Sequence, residues 1–100
     1  MQKVSLAALA RIELELAVRA PSGRSARTVF GGYEHQLRQT LMALRAGESL
    51  SEHENPGEAT LHVLEGRVLL RAGETSWNGS ADDLMTIPDG LHSVDALRTA

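Results

Sequence analysis

The chain has 100 residues, 42% of them hydrophobic but only 3% aromatic, and a formal net charge of −3. This length allows one domain that buries about 60–65% of its unfolded surface, around a core of leucine, valine and alanine. Without cysteine there is no disulfide, thiolate nucleophile or thiolate metal site, which points to a cytoplasmic setting. The scattered basic residues exclude nucleic acid as a partner, and no apolar run approaches the roughly 18 residues of a membrane span.

Ser5 to Ala20 are almost all good helix formers, with Ser5 placed as N-cap. Leu6, Leu9, Ala10, Glu13, Leu16 and Ala17 fall near one stripe of that helix, and Pro21-Ser22-Gly23 ends it. Arg11, Glu13 and Glu15 interrupt any signal-like apolar run. From Ala26 the texture changes to short strands with turn punctuation. Strands are predicted over Arg27 to Phe30, His35 to Leu44, Ala59 to Leu64, Arg67 to Arg71, Glu74 to Trp77, Leu84 to Ile87 and His92 to Leu97. Glu65-Gly66 is predicted to join the third and fourth of these as a hairpin, and Asn78-Gly79 reads as a turn. The organisation is a helix and linker over 1–25 and a β domain over 26–100, one domain overall. Short strands at this spacing predict an all-β sandwich or barrel behind one N-terminal helix.

Two stretches carry the candidate site: Gly47 to Gly66, GESLSEHENPGEATLHVLEG, and Ile87 to Val94, IPDGLHSV. They resemble the two motifs of the cupin superfamily. The first motif runs from glycine through His-x-His and a glutamate to a second glycine. Gly47, His53 and Gly66 match it in register, Asn55 stands where the second histidine would be, and Ala59 or Thr60 replaces the glutamate. In the second motif Pro88, Gly90 and His92 match the centre, with the gap before the histidine one residue short. Asp82 stands for its glycine and Ala96 for its asparagine. The resemblance spans roughly Gln36 to Leu97 and implies a small jelly-roll β-barrel.

It also implies a site inside that barrel. Cupin metal sites resemble a ring of three imidazoles and one carboxylate for Fe, Mn, Ni or Zn. In a regular strand His53 and Asn55 face one way and Glu52 and Glu54 the other, which leaves His53 and His92 as strong donors and Asn55 as a neutral third. Glu58, beside the vacant position, is the substitute carboxylate. His62 falls on the opposite face by alternation. Of Arg38 and Gln39 one is expected to face inward, and an inward Arg38 would suit a carboxylate or phosphate. Gly47, Gly66 and Gly90 read as backbone punctuation.

The first functional expectation is a small polar ligand bound in the barrel by His53, Asn55 and His92, with Arg38 or Gln39 as anchor. The alternative is a metal-dependent enzyme of the cupin kind, a dioxygenase or isomerase, using His53 and His92 as ligands. A third is an interaction module docking through Leu6, Leu9 and Leu16. A jelly roll normally has a further strand after HSV; an uncovered edge invites pairing between chains, and cupins commonly dimerise through their sheets, so a homodimer is expected.

Overall fold

The computed structural model describes residues 3–31, 35–54 and 57–100. Helix α1 spans Leu6–Arg19, and eight strands follow: β1 Arg24–Phe30, β2 Gln39–Leu44, β3 Ser49–His53, β4 Ala59–His62, β5 Arg67–Ala72, β6 Thr75–Ser80, β7 Leu84–Ile87 and β8 His92–Arg98. The fold is thus mostly β with one N-terminal helix, as expected, and its sheets stay open rather than closing into one hydrogen-bonded barrel.

The Ser5 hydroxyl accepts the Ala8 amide at 3.2 Å and starts the helix. The stripe that α1 buries is narrower than predicted: Ala10, Glu13 and Ala17 are covered, while Leu6 and Leu16 remain 42% and 48% exposed. Small side chains let the helix sit close on the β1–β2 hairpin, and the larger leucines are left at its margins. Glu13, 2% exposed, is compensated by the Ser25 hydroxyl donating to it at 2.6 Å and by Arg27 at 3.3 Å.

The strands form three antiparallel sheets: β1–β2, the four-stranded β3–β8–β5–β6, and β4–β7. Three sequence expectations change here. The run from His35 is strand only from Gln39, because β1 ends at Phe30, the residue paired with Gln39. Glu65-Gly66 is not a hairpin turn. β4 pairs with β7 and β5 with β6 and β8, so Gly66, at φ 79°, passes the chain from one sheet to another. The hairpin lies one strand later, between Ala72 and Thr75. Nor is Asn78-Gly79 a turn; both belong to β6, where Gly79 is buried and a Cβ there would stand 2.5 Å from Met85 Cε and 3.0 Å from Val63 Cγ2. Gly47, Gly66 and Gly90 all hold positive φ, in keeping with their reading as punctuation.

β8, after which a further strand was expected, lies inside the large sheet between β3 and β5. Its end is fastened to β2: the Leu44 amide donates to the Ala100 carbonyl at 2.6 Å and the Ala100 amide returns to Leu44 at 2.9 Å. The edges of that sheet are β3 and β6 instead. The core, made of Leu44, Val63, Val68, Leu70, Val94 and Ala96, lies between the large sheet and β4–β7, which contributes Leu61, Met85 and Ile87.

Candidate functional site at the open end of the sheets

Cross-strand register defines the inner face of the large sheet in rows. One row carries Ala96, Val68 and Gly79, and the next carries Leu50, Val94, Leu70 and Trp77. Beyond them, toward the open end, His53 pairs with His92 and Ala72 with Thr75. The first two rows are core, and the last is the mouth.

His92 alternates with Val94 and Ala96, so it points inward and is 2% exposed. Its ring lies 4.2 Å from that of His53, centroid to centroid, at 58°. His92 Nδ1 meets no hydrogen-bond partner among the described residues. Such an atom costs the fold about 1–3 kcal/mol unless something satisfies it. His53, outside it and exposed, holds Nδ1 2.9 Å from the Ser51 carbonyl. A carbonyl only accepts, so Nδ1 carries the proton in that contact and Nε2 is the acceptor of the neutral ring.

A β-bulge brings this pair together. Leu50 packs on the core and His53 on His92, three positions apart, which strict alternation forbids; the register shifts between them. Glu52, next to His53 in β3, borders a groove at this end with Thr75, Trp77, Pro88, Asp89 and Leu91.

The other predicted residues are dispersed. Asn55 lies outside the described residues. Glu58 is exposed just before β4, and His62 points outward, as alternation required. Arg38 and Gln39 are both exposed at the start of β2, and neither borders the groove at the mouth; Arg38 lies against Gly31. Trp77 was missed, although the large sheet places it on the inner face opposite fully buried Leu70.

Two imidazoles supply half of a four-coordinate site. Among the described residues no three His, Cys, Asp or Glu side chains converge, so the described donors do not fit a closed site for Fe, Mn, Ni or Zn.

No family model and no curated protein matches the chain. Solved structures do. A cupin superfamily protein from Desulfitobacterium hafniense superposes with a TM-score of 0.69 at 17% identity, over 76% of this chain and 69% of that one. This chain has a cupin-type fold. A conserved protein of unknown function from Streptococcus pyogenes matches this cupin-type chain at TM-score 0.70 and 20% identity, covering 80% of this chain and 69% of that. A structure of unknown function from Rhizobium leguminosarum bv. viciae gives 0.71 at 17% identity over all of this chain and 89% of that one. At such identities the likeness establishes the cupin fold and carries no substrate. No helix among the described residues is long and apolar enough to cross a membrane.

Proposed function

We propose that this cupin binds a small polar ligand at the mouth of its sheets, with His53 and His92 as the hydrogen-bonding pair. The observation that carries this reading is the buried His92 Nδ1 without a partner among the described residues, beneath an exposed histidine whose Nε2 is left to accept. A polar atom kept in so covered a place costs stability, and a ligand that satisfies it offsets that cost. Asn55, two residues after His53 in the sequence, is the expected third contact. The test is a thermal-shift panel of amino acids, organic acids, sugars and quaternary amines against wild type and His53→Ala. A ligand at 100 times its Kd stabilises by about 2.7 kcal/mol, so a saturating member raises Tm by ~10 °C or more in wild type and less in the variant. Equal shifts in both proteins, or none in either, would overturn the reading.

Metal-dependent chemistry is the second reading, supported by the contact between the two imidazoles. It requires further donors from Asn55, Glu58 or solvent, and elemental analysis decides it. Self-association belongs to the same account: Ile12, Leu16 and Val18 on α1 and Phe30, Leu37 and Met42 on the hairpin segment are large apolar side chains left exposed, and covering such surface favours a homodimer.

A further inference from the structure

Trp77 is the chain's one tryptophan. Its row neighbours on the inner face, Leu50, Val94 and Leu70, are packed into the core, yet Trp77 itself is 41% exposed on edge strand β6. It flanks a groove of about 530 Å³, a volume within the range of small-ligand sites. Thr75 offers a hydroxyl from the same strand, Pro88 and Leu91 form apolar walls, and Glu52 and Asp89 bring two carboxylates. Among the described residues, no lysine, arginine or histidine lines the groove. Neither Glu52 nor Asp89 has an ion-pair partner among the described residues, in contrast to Glu13, Glu48 and Asp95, which are all paired.

We infer that this groove takes an organic cation, a substituted ammonium or guanidinium group, seated on the Trp77 ring and balanced by Glu52 and Asp89. The inference rests on the reading of the mouth as a ligand site and adds the ligand's charge. An indole face attracts a cation more strongly than phenyl or phenol does, and weakly hydrated organic cations lose little water in leaving solution. Two carboxylates without an ion-pair partner among the described residues repel anions by the same fields that draw a cation in. The anionic ligand that an inward Arg38 would have implied finds no support here, because Arg38 is exposed and does not border the groove.

Because Trp77 is the sole tryptophan, its fluorescence reports on the groove directly. Tetramethylammonium and choline chlorides are titrated against wild type at constant ionic strength, with 3,3-dimethyl-1-butanol as the neutral isostere of choline and acetate as the anion. A saturable change with the cations, absent with the isostere and the anion, is expected. Glu52→Gln and Asp89→Asn, at exposed positions that leave the fold intact, should each weaken binding about two- to fivefold. Trp77→Leu, followed by thermal shift, should weaken it by a similar factor. Saturation by the isostere or acetate but not by the cations would overturn the cation assignment while leaving a ligand site at the mouth. Cation binding unchanged in all three variants would overturn the groove. No response of Trp77 to any probe, together with a silent thermal-shift panel, would remove both readings.

Discussion

The role of His92 can be separated from ordinary core packing by replacing it with leucine. The two side chains have similar volume, so the shape mismatch costs less than about 1.5 kcal/mol. Losing the ring contact with His53 costs a further ~0.5–1.5 kcal/mol. Against these stands the removal of a buried Nδ1 without a partner among the described residues, worth about 1–3 kcal/mol in the opposite direction. The terms nearly cancel, and His92→Leu is predicted to lie within about 1 kcal/mol of wild type. For a domain of this size that is a Tm change below about 8 °C. Leu70→Ala, at a side chain of similar depth and 0% exposure, supplies the contrast: a loss of about 2–5 kcal/mol and a fall of ~10 °C or more. Both are read by circular dichroism melts under one buffer. If His92→Leu falls as far as Leu70→Ala, the imidazole belongs to the protein's own hydrogen-bond network, and its retention for a ligand is wrong.

Gly66→Ala meets two obstacles, a positive φ and the Thr99 carbonyl where its Cβ would stand, so a loss above about 2 kcal/mol is expected in denaturant titration; a neutral effect would contradict the sheet crossing described at that residue. Glu13→Ala strips Ser25 and Arg27 of their shared carboxylate, but Arg27 is 43% exposed and can rehydrate, so the predicted loss is only about 1–2 kcal/mol by the same titration. Light scattering should give the mass of a dimer, and a clean monomer across micromolar concentrations would reject self-association. Elemental analysis of protein never passed over a nickel column, before and after incubation with Fe, Mn, Ni and Zn, should find metal well below one equivalent; near-stoichiometric metal would put the enzyme reading first.

Much of the fold was legible because its signals are local. Helix formers behind Ser5, and glycines 47, 66 and 90 at positive φ, each follow from a residue's own conformational preferences. Which strand pairs with which was not. The run Val63 to Val68 reads as a hairpin, since Gly66 can end one strand whether the next folds back or crosses to another sheet, and only tertiary packing distinguishes these. Asn78-Gly79 failed for a related reason. The dipeptide favours a turn, but Gly79 is required here for its missing side chain beneath Met85 and Val63. Ending β6 at Trp77 then hid the fact that Trp77 and Gly79 share the inner face.

The histidine pair was visible from motif register, whereas the step of three that puts Leu50 and His53 on one face was not. Alternation assumes a regular strand, and the bulge between Leu50 and His53 leaves no mark in composition. Arg38 and Gln39 illustrate the converse. Their place on a predicted inner strand made them plausible anchors, but β2 starts only at Gln39, and both stay in solvent.

The most direct test of ligand binding at the mouth is NMR of the four histidine rings, assigned by substitution, through a titration with the ligand that gives the largest thermal shift. Saturable movement of the His53 and His92 resonances together, with His62 on the outer face unmoved, is the predicted result. Saturation that leaves both rings unchanged would place the ligand elsewhere and contradict the account.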